Sequence, residues 1–138
     1  MTDALNHIVL IEDNETTSFL NNRLLSRLGV AKQVSSFSKA DEASQFLWGN
    51  EPADQATPDL VFVDLKMPGM SGFDFLEHYS RLPTEVQERT VVAVLTTSMH
   101  SADTARVALY PNVEYLTKPL TEEKMQRLLA KRFALSNG

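Results

Sequence analysis

Two apolar segments of the chain each end in acidic residues, and these acids are the first candidates for chemistry. Leu60 to Val63 is followed directly by Asp64, and Ile8 to Ile11 is followed by Glu12 and Asp13. Short apolar runs of this kind predict strands that are buried on both faces. Ligands bind at the carboxyl ends of the strands in an open parallel α/β sheet, so these acids stand where a ligand would bind.

Two later segments add a hydroxyl group and an ammonium group. Val91 to Leu95 predicts another buried strand, which ends at Thr96, and Val113 to Leu116 predicts a last strand shortly before Lys118. Neighbouring carboxylates repel one another and raise the pKa of at least one of them unless a cation lies among them. Mg²⁺ prefers oxygen ligands and often binds carboxylates together with phosphate oxygens. A metal, an ammonium and a hydroxyl around one carboxylate suit a phosphoryl group, with Asp64 as its acceptor.

The elements that must position these residues alternate between strand and helix five times. Val30 to Phe37 is polar enough to be an edge strand, Phe19 to Leu28 carries an apolar stripe at helical spacing, and Thr84 to Arg89 is interpreted as a polar connection. Right-handed crossovers then give a parallel sheet with helices on both faces. Two strand orders fit, and the order 2-1-3-4-5 brings the ends of the first and third strands together.

Composition limits the remaining possibilities. The 138 residues fit one domain, with a core over about 7–133, and no cysteine is present for disulfides, thiolate catalysis or thiolate metal sites. No apolar run reaches the roughly 18 residues of a membrane span, and no signal peptide is recognisable, so we expect a cytoplasmic protein. A net charge of −5 argues against a nucleic-acid surface. His7, His78 and His100 lack metal-ligand spacing and are expected at the surface.

With these residues in place, the sequence resembles the receiver domain of two-component response regulators. The resemblance covers about Ile8 to Phe133. It implies the flavodoxin-like (CheY-like) doubly wound α/β fold with a five-stranded parallel sheet. Because 138 residues leave room for one domain, we expect a stand-alone receiver domain at 1–138 without an output domain. The features that carry it are the pair Glu12-Asp13, Asp64 followed by Met67-Pro68-Gly69 and Ser71-Gly72, the hydroxyl Thr96, the aromatic Tyr115, and Lys118-Pro119.

The resemblance also implies roles for the acids. Asp13 would bind Mg²⁺ (or Mn²⁺) directly and Glu12 through water, while Asp64 and the backbone carbonyl of Lys66 would complete the protein ligands. Asp64 would attack a phosphohistidine on a sensor histidine kinase or a histidine phosphotransfer protein and become an aspartyl phosphate. The protein would thus be a phosphoacceptor that assists its own phosphorylation and dephosphorylation, and not an enzyme.

Further residues receive roles from the same resemblance. Thr96 and Lys118 would hold the phosphoryl oxygens, and the peptide between Lys118 and Pro119 is expected to be cis. Movement of Thr96 would let Tyr115 turn inward and change the surface of the last two helices and the last strand. That surface would bind a downstream protein, or the phosphoryl group would be relayed onward, in a monomer or weak dimer. Lys66 and Thr97 occupy positions that tune phosphoryl lifetime.

Three other functions are considered. Phosphatases with an aspartate nucleophile place a second aspartate two residues later as general acid, where this chain has Lys66. A flavin-binding module would need a phosphate loop after the first strand, where Glu12-Asp13-Asn14-Glu15 would repel phosphate. The third is a pseudo-receiver that acts as a docking module without phosphorylation, although its acidic residues are all present.

Overall fold

The structure is a computed structural model and describes residues 5–48, 58–65, 71–97, 100–110 and 112–136. Its sheet has five parallel strands in the order β2-β1-β3-β4-β5, which confirms the predicted 2-1-3-4-5 order. The strands are β1 (Leu5–Ile11), β2 (Ala31–Phe37), β3 (Leu60–Asp64), β4 (Val91–Thr96) and β5 (Val113–Thr117). The polar strand β2 lies at one edge, as its composition predicted, while β1, β3 and β4 lie inside the sheet.

Helices cover both faces of the sheet. They are α1 (Glu15–Leu28), α2 (Ala40–Trp48), α3 (Gly72–Ser80), α4 (Thr84–Arg89), α5 (Ser101–Val107) and α6 (Glu122–Ser136). Alternate residues of each inner strand enter opposite cores, because side chains in a strand point to its two faces in turn. Val9 and Val61 belong to the core under α2, α3 and α5, whereas Leu10 and Phe62 belong to the core under α1 and α6. The doubly wound architecture is therefore confirmed.

The segment Thr84–Arg89 was wrongly expected to be a polar connection, because it forms the short helix α4. Pro83 precedes it and accepts hydrogen bonds from the backbone N–H groups of Val86 and Gln87. Tyr79, which is fully buried, donates its hydroxyl to the carbonyl of Gln87. The helix contains little apolar periodicity, so local turn hydrogen bonds and this contact with α3 stabilise it instead.

Two expectations about burial are corrected. His7 was expected at the surface but is only 7% exposed, because β1 is an inner strand, and its Nε2 lies 2.8 Å from Ser35 Oγ on β2. Phe19 and Leu20 were assigned to the apolar stripe of α1 but are 62% and 55% exposed. Both lie in the first half of α1. Leu25, in the second half, belongs to the same predicted stripe and is fully buried.

A buried ion pair closes the amino ends of the strands. Asp59, immediately before β3, accepts hydrogen bonds from the backbone N–H groups of Asn6 (2.7 Å) and His7 (3.3 Å). Its other carboxylate oxygen lies 2.8 Å from Nη2 of Arg132 on α6. The pair therefore fastens α6 to the start of two inner strands. Among the described residues, no helix is long and apolar enough to cross a membrane.

Candidate functional site

Three carboxylates meet at the carboxyl edge of the sheet. Glu12, Asp13 and Asp64 each place one carboxylate oxygen within 4.8 Å of the other two. They meet because β1 and β3 are neighbours in which Ile11 pairs with Val63, so the residues after these positions lie side by side. Glu12 and Asp64 are only 5% and 8% exposed, while Asp13 is exposed to solvent.

Lys118 supplies a single ammonium to this group of acids. Its Nζ lies 2.8 Å from Glu12 Oε1 and 3.0 Å from Asp64 Oδ2, so one cation is shared by two buried carboxylates. The lysine follows β5, two strands away from β3, and its long side chain crosses the end of β4 to reach them. Among the described residues of this group, three carboxylates share one ammonium, so the group carries an excess of negative charge.

The pKa values record this arrangement. Burial raises the pKa of Glu12 to about 7; the hydrogen bond from Lys118 opposes this rise, and the nearby Asp64 carboxylate adds to it. Burial alone would lower the pKa of Lys118, but its hydrogen bonds to Glu12 and Asp64 raise it above the ordinary value. Lys118 therefore stays charged, while Glu12 is readily protonated unless a cation is added.

Thr96 closes another side of the site. It is 2% exposed at the end of β4, one residue beyond Leu95, which pairs with Asp64 in the sheet. Its backbone carbonyl accepts a 2.7 Å hydrogen bond from the N–H of Lys118, which ties the end of β4 to the residue after β5. The peptide between Lys118 and Pro119 is cis, the form that the resemblance implied.

The remaining predicted residues lie farther from the acids or outside the described residues. Tyr115 is half-buried opposite Val94 of β4, and its hydroxyl is buried without a hydrogen-bond partner among the residues that the structure describes. Thr97 is exposed just after β4. Lys66, which was predicted to offer its backbone carbonyl and to tune lifetime, lies outside the described residues, as does the Met67-Pro68-Gly69 turn.

Gly72 permits the close approach of α3 to the acceptor. A Cβ atom at this position would lie 2.8 Å from both the carbonyl oxygen of Asp64 and the Cα of Leu65, which is too close for any side chain. The N–H of Gly72 also donates to the carbonyl of Leu65 at 3.0 Å. Ser71 and Asp74 form a capping box that fixes the start of α3 at this point. The helix thus supports the backbone that carries Asp64.

Asn14 has a second contact that sequence reasoning missed. Its side chain caps α1 by accepting the N–H of Thr17 at 2.9 Å, a role that asparagine favours. Its own backbone N–H donates to Glu12 Oε2 at 3.2 Å. The position of Asn14 at the start of α1 could have indicated this contact, since the free N–H groups at the start of a helix favour nearby anions.

The donors at this edge fit a hard divalent cation. Three carboxylates offer oxygen ligands within reach of one another, and two of them are buried, where an added positive charge is most strongly favoured. The raised pKa of Glu12 has the same origin, because burial and the nearby Asp64 carboxylate both disfavour its charged form. Glu12, Asp13 and Asp64 could therefore hold Mg²⁺.

Comparison with known proteins identifies the family. Residues 8–130 match the model of the response regulator receiver domain. The chain belongs to this family. Receiver domains bind Mg²⁺ and interact with histidine kinases or phosphotransfer proteins, so the acidic cluster lies in a domain of the appropriate kind.

Two relatives of this receiver domain are regulatory proteins by name. It is 31% identical over 120 residues to the probable methanogenesis regulatory protein FilR2 of Methanothrix harundinacea, covering 87% of this chain and 76% of FilR2. It is 26% identical to the nitrate/nitrite response regulator NarL of Escherichia coli strain K12, covering 86% of this chain and 54% of NarL. The chain thus spans about three quarters of one relative and about half of the other.

Solved structures share the whole fold. The two-component response regulator from Cytophaga hutchinsonii superposes with a TM-score of 0.83 at 21% identity, covering 95% of this chain and 98% of that one. The phosphorylated cyanobacterial phytochrome response regulator RcpA gives a TM-score of 0.73 at 29% identity, covering 98% and 97%. The sheet order and the helices on both faces are therefore those of known receivers.

Proposed function

We propose that this receiver domain accepts a phosphoryl group on Asp64 from a phosphohistidine of a sensor histidine kinase or a histidine phosphotransfer protein. The observation that carries the proposal is Lys118, whose ammonium contacts both Asp64 and Glu12 beside the exposed Asp13. A carboxylate held next to a fixed ammonium, at an edge that favours a divalent cation, is suited to phosphoryl transfer. The similarity to phosphorylated RcpA supports the same function.

In the proposed reaction, a carboxylate oxygen of Asp64 forms a bond to phosphorus as the phosphorus–nitrogen bond of the phosphohistidine breaks. The electron pair of that bond returns to the imidazole, which takes a proton from solvent. Glu12, Asp13 and Asp64 would hold Mg²⁺, together with the Lys66 carbonyl that the resemblance implies. When bound, Mg²⁺ neutralises negative charge on the transferred group and brings it close to the carboxylate.

Lys118 and Thr96 hold the product in this proposal. The Lys118 ammonium, now hydrogen-bonded to Asp64, moves its hydrogen bonds to phosphoryl oxygens, and the Thr96 hydroxyl donates to another oxygen. Thr97, exposed at the end of β4, shields the group from water and slows its loss. The domain is accordingly a phosphoacceptor rather than an enzyme with turnover.

In this proposal, Thr96 and Tyr115 transmit phosphorylation to a surface that other proteins bind. Tyr115 lies on β5, and its buried hydroxyl would gain a partner or solvent in another rotamer. Phosphorylation would shift the balance between two positions of this ring and change the surface made by α5, β5 and α6. In the cytoplasm, a monomer or weak dimer would present this surface to a downstream protein, or the phosphoryl group would pass to another histidine.

Intact mass spectrometry tests the acceptor directly. The protein is incubated with Mg²⁺ and acetyl phosphate, and we expect one added phosphoryl group that is absent in Asp64→Asn and in the presence of a chelator. Glu88→Gln, which neutralises an exposed acid on α4, is the matched control and should be phosphorylated like the native protein. A native protein that stays unmodified would indicate a docking module, and repeated release of phosphate without the modified species would indicate a phosphatase.

A further inference from the structure

The carbonyl groups on both sides of Lys118 are bound by a second lysine. Lys124 Nζ donates to the carbonyl oxygen of Thr117 at 2.6 Å and to that of Pro119 at 2.8 Å. The N–H of Lys118 itself donates to the carbonyl of Thr96, so the backbone of this short segment contacts both β4 and Lys124. The backbone that carries the Lys118 ammonium is thus fixed between the sheet and the first turn of α6.

Lys124 stands where a lysine is unfavourable for the helix. Thr121 caps α6, since its hydroxyl accepts the N–H of Lys124 at 3.2 Å, and this places Lys124 three residues inside the helix. An acidic or amide side chain suits that position, because it can pair with free N–H groups and with the positive end of the helix dipole. Glu122 and Glu123 follow that preference, and Lys124 departs from it. A locally unfavourable residue with two strong contacts elsewhere indicates a role in those contacts.

The other basic residues along the same helix have different partners. Lys131 Nζ lies 2.6 Å from Glu114, and Arg127 lies 3.4 Å from the same carboxylate, while Arg132 pairs with Asp59. Each of these cations contacts an acid. Lys124 Nζ instead donates to the two carbonyl oxygens. Its charge is therefore directed to the segment around Lys118.

We propose that Lys124 is a positioning residue for Lys118: by donating to the carbonyls of Thr117 and Pro119, it fixes the position of the ammonium that would donate to the phosphoryl oxygens. Hydrogen bonds from a charged donor are about twice as strong as neutral ones, and two of them on neighbouring peptides limit the movement of the segment. The inference rests on the proposed function of Asp64 and Lys118. It adds that the start of α6 decides how well the phosphoryl group is held.

Beryllofluoride, a phosphoryl mimic that binds an aspartate in the presence of Mg²⁺, separates this role from a general loss of structure. We expect Lys124→Met to lower the affinity for beryllofluoride about tenfold, the lower end of the cost of removing a group that orients a site residue. Affinity for Mg²⁺ alone should not fall, because Lys124 contacts none of the carboxylates and a less firmly held Lys118 ammonium would compete less with the metal. Calorimetric titration measures both, and the maximum rate of phosphorylation by acetyl phosphate should fall together with beryllofluoride affinity.

Lys131→Met is the matched control, because it removes one lysine from the same helix while the segment around Lys118 keeps its contacts. Its beryllofluoride affinity should equal that of the native protein, and Lys124→Arg should restore much of what Lys124→Met loses. Equal beryllofluoride affinity in Lys124→Met and Lys131→Met would overturn the proposal, as would a parallel loss of Mg²⁺ affinity in Lys124→Met. A native protein that binds Mg²⁺ but neither beryllofluoride nor a phosphoryl group would instead refute the proposed function, and the role of Lys124 with it.

Discussion

The two ends of the parallel sheet both contain a buried aspartate beside a cation, yet the two are built differently. At the amino end, Asp59 accepts hydrogen bonds from two backbone N–H groups and from Arg132, so both carboxylate oxygens have donors. At the carboxyl end, Asp64 shares the single ammonium of Lys118 with Glu12, and Asp13 adds a further negative charge.

This difference separates a structural ion pair from a binding site. A buried carboxylate with a donor on each oxygen resists change, because removing its cation leaves the charge uncompensated. A buried cluster with more acids than cations remains able to bind an added cation or an anion carried by that cation. The same residue types thus hold the fold at one end and leave room for a ligand at the other.

The largest effect is expected from Arg132→Met. It leaves Asp59 buried without its cation, and breaking a buried pair in this way typically costs about 3–5 kcal/mol of unfolding free energy. Urea unfolding measures this loss. Lys131→Met is the control, since its ion pair with Glu114 is more exposed and such pairs contribute about 0–1 kcal/mol. The double variant Asp59→Asn with Arg132→Met should recover part of the loss. If Arg132→Met lost as little unfolding free energy as Lys131→Met, the pair of Asp59 and Arg132 would not be important for the stability of the fold.

The next effect concerns Glu12 and pH. Its pKa is about 7 in the folded protein and 4.5 in the ordinary state, so between these values the folded protein binds a proton that the unfolded chain has lost. This contribution to stability is therefore lost as pH rises from 4.5 to about 7 in the metal-free protein. Urea unfolding with a chelator at several pH values should show that Glu12→Gln removes this slope. An unchanged slope in Glu12→Gln would contradict the raised pKa.

A smaller effect is expected from Asp13→Asn. It removes one of the mutually repelling charges at the carboxyl end, and for a solvent-exposed group this should raise stability of the metal-free protein by about 1 kcal/mol. Mg²⁺ affinity should fall at least about tenfold, as even the loss of an outer group that supports a metal ligand costs that much. Thermal unfolding and calorimetric titration measure the two changes. A variant that is less stable than the native protein, or that binds Mg²⁺ equally well, would show that Asp13 is not part of the cluster.

The smallest effect is expected from His7→Gln at the amino end. Burial lowers the pKa of His7, while the charge of Asp59 partly opposes that shift. Below the ordinary value of 6.5 the unfolded chain binds a proton more readily than the folded protein, so stability is lost as pH falls through this range. His7→Gln keeps a polar group near Ser35 and should flatten this acid limb in urea unfolding. The two ends of the sheet would then respond to pH in opposite directions.

Much of the fold could be predicted because its signals are local. Apolar runs identified the inner strands, and the polar sequence of Ala31–Phe37 identified the edge strand. The helix Thr84–Arg89 was missed because a tyrosine hydroxyl from α3 and a proline turn stabilise it, and neither produces helical periodicity. The burial of His7 was missed because it depends on which strands lie on the two sides of β1 in the sheet.

The convergence of the acids was predictable for a similar reason. Once the strand order places β1 beside β3, the residues that follow each strand must meet, and the structure places Glu12, Asp13 and Asp64 together. The contacts of Lys124 were not predictable, because they depend on how its long side chain folds back past the start of α6 to the preceding residues. The roles of Thr96, Tyr115 and Thr97 remain predictions.

The sequence by itself determined the family, the parallel doubly wound sheet and the acids at its carboxyl edge. These features depend on hydrophobic periodicity and on the polar residues that follow each strand, and both are properties of residues close together in the sequence. The sequence also placed the Lys118 ammonium near these acids. Only the tertiary structure showed that Glu12 shares it with Asp64, and that Arg132 compensates Asp59 across 73 positions. Such pairs depend on how the helices pack on the sheet, and the energies of burial and charge become large only after that packing has excluded water.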